Sequence, residues 1–184
     1  MRRTGPVRAA PALALLLVLG LALVGCGRES SSSAAATPPA LDDSIRIDAV
    51  WAARLPDLAG EEQALAQWRG EVVVLNFWAP WCPPCREEIP AFVRLQERYG
   101  ERGLRFVGVA LDDPVKVAEF ADQNEINYPT LLGGLAAVEL GRSAGNRLGG
   151  LPYTLILDRA GNPVTSITGE LSEARLEGLI QPLL

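Results

Sequence analysis

Histidine is absent from this 184-residue chain, methionine occurs once, at Met1, and cysteine only three times. Each shortage removes a class of chemistry. Without an imidazole no Cys-His nucleophile can be assembled. A zinc centre needs about four nitrogen, sulfur or oxygen ligands and finds no histidine and too few thiols. Covalent haem attachment requires histidine directly after a Cys-x-x-Cys pair, and Arg86 holds that place. Copper(I) bound by two thiolates stays open, because soft sulfur alone suits that ion. Positive charge is also scarce: the chain carries a net charge of −5. Losing residues 1–25 would remove three arginines and no acid, leaving 14 basic against 22 acidic residues, so nucleic acid is excluded as a partner.

What remains is concentrated in Trp81-Cys82-Pro83-Pro84-Cys85. The apolar run Val72-Val73-Val74-Leu75-Asn76-Phe77 precedes it and a helix-like stretch from Arg86 to Tyr99 follows. A strand that delivers Cys-x-x-Cys onto the first turn of a helix makes a dithiol. Unpaired N–H groups and the positive end of the helix dipole there favour the thiolate of Cys82. Pro83 and Pro84 fit the first helical positions, which need no N–H, and fix the spacing that lets the two sulfurs close a small, reducible ring. As a structural staple such a ring would be poor, since so short a loop constrains the unfolded chain little. Cys82 is therefore the candidate nucleophile and Cys85 the candidate resolving thiol.

The third cysteine has a different setting. Arg2, Arg3 and Arg8 form a basic head and Ala9 to Val24 an apolar run of 16 residues, short of the ~20 a spanning helix needs. Leu23-Val24-Gly25-Cys26 closes it and resembles the lipobox of bacterial lipoproteins, which implies cleavage after residue 25 and a lipid on Cys26. Arg28 to Ala40 is rich in serine, alanine and proline, with no large apolar residue to bury, and reads as a tether. The expected organisation is a signal segment at 1–25, a lipid anchor and tether at 26–47, and one domain at 48–184 on the outer side of the cytoplasmic membrane. About 140 residues suffice for one core. In an oxidising space, a domain whose only thiols are Cys82 and Cys85 keeps its sulfur for chemistry.

Along that domain, Ala49 to Leu58 suggests a short strand or irregular lead-in, and Glu61 to Arg69 a short helix or turn. Val72 to Phe77 and Leu104 to Leu111 read as buried strands. The helix from Pro83 to Tyr99 places Ile89, Phe92, Val93 and Gln96 inward, with a kink at Pro90. Asp112-Asp113-Pro114 caps a helix from Val115 to Gln123 with Val117 and Phe120 inward. Tyr128 to Leu132 fits a short strand and Leu135 to Arg142 a helix. Tyr153 to Leu157 and Val164 to Thr168 flank a turn signal, and Ser172 caps a last helix. The pattern is α/β, a mixed sheet with helices on both faces.

Asn76 to Cys85, followed by Arg86-Glu87-Glu88-Ile89-Pro90, Val107 to Asp112, Tyr128-Pro129, Gly150-Leu151-Pro152-Tyr153-Thr154 and Asp158 to Gly161, resembles the thioredoxin superfamily. The resemblance is to its extracytoplasmic TlpA/ResA-like branch and spans residues 48–184. It implies a thioredoxin-like sheet with an inserted helix and strand at about Val115 to Leu135. It also implies a cis peptide before Pro152 facing the cysteines, with the Leu151 backbone free to pair with substrate and Trp81 beside the dithiol. Glu88 matches a glutamate this branch places near the active site. One helical turn from Cys85, it is positioned to take that thiol's proton; the bland alternative is a solvated acid near a helix start. Where thioredoxins carry a buried aspartate stands Asn76, whose amide accepts no proton at neutral pH.

The expectation is a lipid-anchored thiol-disulfide oxidoreductase that reduces disulfides of exported proteins, apocytochromes c among them. A membrane dithiol carrier would re-reduce it, and no cofactor is implied. Two rivals stay open: a copper(I)-binding assembly factor, and a thiol peroxidase. The latter would want Thr or Ser three residues before the reactive cysteine, where this chain has Ala79.

Overall fold

The computed structural model describes residues 45–184. The signal segment, Cys26 and the tether up to residue 44 lie outside the described residues. Ile45 rests on the core, and the Arg46 N–H donates to the Ser143 carbonyl at 2.8 Å.

The lead-in opens with a helix before its short strand: α1 (Ile47–Ala52) buries Val50 and Trp51. At six residues it is too short to reveal a helical period. A two-stranded antiparallel ribbon follows, β1 (Arg54–Pro56) and β2 (Glu62–Ala64), and a 3-10 turn at Leu65–Trp68. Asp57 fixes the ribbon's turn, its carboxylate accepting from the N–H groups of Ala59 and Glu61 and from the Gln63 amide.

The main elements follow in order: β3 (Val72–Trp78), α2 (Pro83–Tyr99), β4 (Leu104–Ala110), α3 (Pro114–Gln123), β5 (Thr130–Leu132), α4 (Gly134–Ser143), β6 (Tyr153–Leu157), β7 (Pro163–Thr168) and α5 (Glu173–Ile180). The sheet order is β5-β4-β3-β6-β7, with β3, β4 and β5 parallel and β6 and β7 antiparallel. This is a thioredoxin-like mixed α/β sheet, and α3 with β5 forms the inserted helix and strand.

Every residue of β3 is buried, as a central strand covered on both faces must be. Its side chains alternate. Val73, Leu75 and Phe77 enter the core shared with α1 and α4, whereas Val72 and Val74 enter the one shared with α2 and α5. Helix α2 runs through Pro90 without a break and buries Cys85, Glu88, Ile89, Phe92, Leu95 and Gln96 on one side, while Val93 lies at the edge of that core. Asp113 caps α3, its carboxylate accepting from the Val115 and Lys116 N–H groups; the Ser172 hydroxyl accepts from the Arg175 N–H at the start of α5. Phe120, expected inward, is only partly buried and packs its ring 5.2 Å from that of Trp78.

Candidate active site

The carboxyl-terminal ends of β3, β4 and β5 and the amino-terminal end of β6 meet at one end of the sheet, where the cysteines also sit. β3 stops at Trp78, the Cys82 N–H donates to the Ala79 carbonyl to close a turn, and Cys82 becomes the extended residue that opens α2. Cys82 and Cys85 are joined in a disulfide. They are not equally accessible: Cys85 is fully buried and Cys82 keeps 3% of its surface. An incoming sulfur can therefore reach this pair only at Cys82.

The surroundings divide into a floor and a rim. Trp78, fully buried, packs with both cysteines, Ile89, Ala110 and Val117. A Cβ on Gly108 would come within 2.8 Å of the Trp78 indole nitrogen, so only glycine lets the ring lie there. Trp81 is 65% exposed and stands beside the disulfide.

The peptide between Leu151 and Pro152 is cis. Pro152 is buried and its carbonyl accepts from the Gly169 N–H at 2.8 Å. Leu151 is half-buried and packs against the cysteine cluster and the α1/α4 core alike. Its own N–H and carbonyl have no hydrogen-bond partner among the described residues.

Glu88 is not a solvated acid. It is 1% exposed, on the same side of α2 as Cys85. One carboxylate oxygen accepts from the Asn76 amide at 2.8 Å and the other from the Leu171 N–H at 3.1 Å. Burial pushes its pKa up to about 7; the two hydrogen bonds oppose that rise and the nearby charge of Glu170 adds to it. A carboxyl poised there exchanges a proton near neutrality. Glu87, its neighbour, points to solvent.

Asn76, in the thioredoxin aspartate position, thus holds the carboxyl rather than replacing it, and its amide also donates to the Thr154 hydroxyl at 3.0 Å. Three further participants were given no role from sequence: Leu171, and Thr154 and Tyr128, which appeared only within the motifs that carry the resemblance. The Tyr128 hydroxyl is raised far above its ordinary pKa, first by burial and then by the charge of Glu88. Alternation along β3 could have placed Asn76 on the Trp78 side, but Leu171 lies 83 residues from Glu88 and carries no local signal.

The comparisons with known proteins agree with this geometry. Residues 48–164 match the model of the AhpC/TSA family. The thiol-disulfide oxidoreductase ResA of Bacillus cereus is 31% identical over 130 residues, 69% of this chain and 72% of that protein. ResA of Geobacillus kaustophilus is 33% identical over 124 residues, 67% of this chain and 69% of that protein. A solved structure described as the thiol:disulfide interchange protein DsbE of Chlorobium tepidum has a TM-score of 0.66 at 27% identity, covering 78% of this chain and 98% of that one.

Proposed function

The chain belongs to the AhpC/TSA family and is a thiol-disulfide oxidoreductase of thioredoxin-like fold, and from that premise we propose that it reduces disulfides of exported proteins while anchored to a membrane outside the cytoplasm. The observation that carries the chemical part is the Cys82–Cys85 bond at the start of α2, open to solvent at Cys82 alone. In the reduced state the helix start favours the Cys82 thiolate, which attacks a target disulfide and forms a mixed disulfide. Cys85 then attacks the Cys82 sulfur and releases the reduced target, its proton passing to Glu88. The target segment lies along Leu151 and Pro152, beside Trp81.

The anchor is a lipid on Cys26 after removal of residues 1–25, and a membrane dithiol carrier returns the electrons. Apocytochromes c are the proposed targets. Among the described residues no helix is long and apolar enough to cross a membrane.

One pair of variants tests the chemistry. Cys85→Ser accumulates a mixed disulfide with a disulfide-containing protein substrate, seen as a mass shift that dithiothreitol reverses, and Cys82→Ser forms none. Equal trapping by both, or a Cys82→Ser protein that reduces the substrate as fast as the parent, ends the proposal.

A further inference from the structure

On the far side of the sheet end from the disulfide, a small cavity of about 70 Å³ lies between α4 and the loop leading into β6. Phe77, Leu111, Ala137, Gly141, Asn146 and Leu151 line it. We propose that this cavity receives a small apolar side chain, that of the residue adjacent to the cysteine in an extended substrate segment, and so selects among substrates. The inference rests on the redox reading given above.

Leu151 is the link. Its side chain borders the cavity on one side and the cysteine cluster on the other, and its backbone N–H and carbonyl are free among the described residues. An extended segment that bonds to those two groups behaves as an added strand. In such a strand successive side chains point to opposite faces. When the substrate cysteine is turned toward Cys82, on the α2 face, its neighbour along the chain is turned toward the α4 face, where the cavity lies.

The lining sets the chemistry of that neighbour. Among the described residues no charged side chain borders the cavity, and its one polar side chain, Asn146, already gives one amide N–H to the Gly150 carbonyl at 2.9 Å. A charged residue entering would lose its water and meet no opposite charge, with at most the remainder of one neutral amide to replace it. The volume is that of roughly two waters at ~30 Å³ each, enough for a side chain the size of alanine to valine and too small for tryptophan.

Gly141 keeps the space open. It lies inside α4, where alanine would be the better helix former. A Cβ there would meet Phe77 at 3.5 Å and Asn146 at 3.9 Å, ordinary contact distances. Sterics therefore do not demand glycine at this position, in contrast to Gly108. What its missing methyl provides is volume.

The test uses the full chain, reduced with dithiothreitol and freed of it, and synthetic peptides whose single cysteine is joined to glutathione. Two series vary the residue before or the residue after the cysteine among alanine, valine, aspartate and tryptophan. Cys82 attacks the peptide sulfur and expels glutathione, then Cys85 closes on Cys82 and expels the peptide thiol. The dithiol supplies both electrons, and its two protons end on the two products. In one series the parent reacts at least ~10-fold faster with valine than with aspartate or tryptophan. Gly141→Ala moves the preference from valine toward alanine, and Gly141→Val levels it. These are ratios within one protein, so a variant that merely folded poorly would slow on all peptides alike. A parent that reduces 2-hydroxyethyl disulfide yet treats all peptides equally, or Gly141 variants that keep the parent's ranking, overturn the subsite and leave the redox reading standing. A parent inert toward 2-hydroxyethyl disulfide as well overturns both.

Discussion

On the α1/α4 side of the sheet, β3 contributes Val73, Leu75 and Phe77 to a continuous apolar core, and the buried polar atoms of that side are matched. The Tyr153 hydroxyl donates to the Ala144 carbonyl at 2.7 Å and the Trp51 indole N–H to the Gly161 carbonyl at 2.8 Å. On the α2 side the same strand begins with Val72 and Val74 and then turns to Asn76 and Trp78. There a carboxyl is buried, and four buried polar atoms, Asn76 Oδ1, Trp78 Nε1, Tyr128 Oη and Thr130 Oγ1, have no hydrogen-bond partner among the described residues. Leu131 enters the α1/α4 core, so Thr130 beside it faces the α2 side with the other three. The α1/α4 face is closed by matched apolar packing apart from the small cavity at Gly141. The other gives up stability to keep polar groups beside the disulfide, and that cost is measurable.

The largest effect belongs to the apolar face. Leu75 is fully buried in the central strand, and Leu75→Ala leaves a cavity that rigid neighbours on both sides cannot close. Its expected cost lies in the upper part of the about 2–5 kcal/mol typical of such truncations, read from urea denaturation. The reduction potential of the Cys82/Cys85 pair, measured where the variant is folded, stays at the parent's value. A shift in potential equal to that seen for substitutions on the α2 face would erase the distinction between the faces.

Next comes Glu88. Its pKa is about 7 in the folded chain against an ordinary 4.5, so between those values the folded state holds the extra proton. Stability therefore falls as pH rises from about 4.5 to about 7, by up to about 3 kcal/mol, and is level above. Glu88→Gln abolishes that slope, so the variant gains on the parent across the same window in denaturation curves at pH 5 and pH 8. The same substitution slows release of the trapped substrate by Cys85 by roughly 10- to 100-fold near neutrality and removes its pH dependence, as rapid-mixing kinetics would record. Retention of the parent's profile would show that the buried carboxyl is a structural burden only.

Both faces were legible in the sequence to different depths. β3, the turn at Cys82 and the start of α2 could be read because an unbroken apolar run, paired prolines and a Cys-x-x-Cys spacing are all local. So were the caps at Asp113 and Ser172. The six residues of α1 and the three of β2 were missed, since neither is long enough to display a period, whereas β1 falls within the short strand or irregular lead-in read over Ala49 to Leu58. The enclosure of Glu88 was half visible. Helical spacing put it on the side of Cys85, but whether it met water depended on Leu171, brought over from the approach to α5. The Gly141 cavity left no trace in the sequence, because it is defined by what packs around a missing methyl.

The smallest effect separates two threonines in one row across the sheet. Thr154 pairs with Asn76 between β6 and β3, and Thr130 pairs with Gly108 between β5 and β4, with Asn76 and Gly108 themselves opposite each other. Both threonines are buried, but only the Thr154 hydroxyl has a partner, the Asn76 amide that also holds Glu88. Removing a matched hydroxyl strands a buried donor, whereas removing an unmatched one strands nothing. Thr154→Val is expected to lower stability by about 1–2 kcal/mol, and Thr130→Val to leave it unchanged or raise it by up to about 1 kcal/mol. Because the two substitutions are chemically identical and both sit on the α2 face, the difference between them in urea denaturation measures the Asn76 bond itself. Equal losses at both sites would mean that the Thr130 hydroxyl is as well matched as that of Thr154, and the α2 face would then give up less stability than its unpaired atoms indicate.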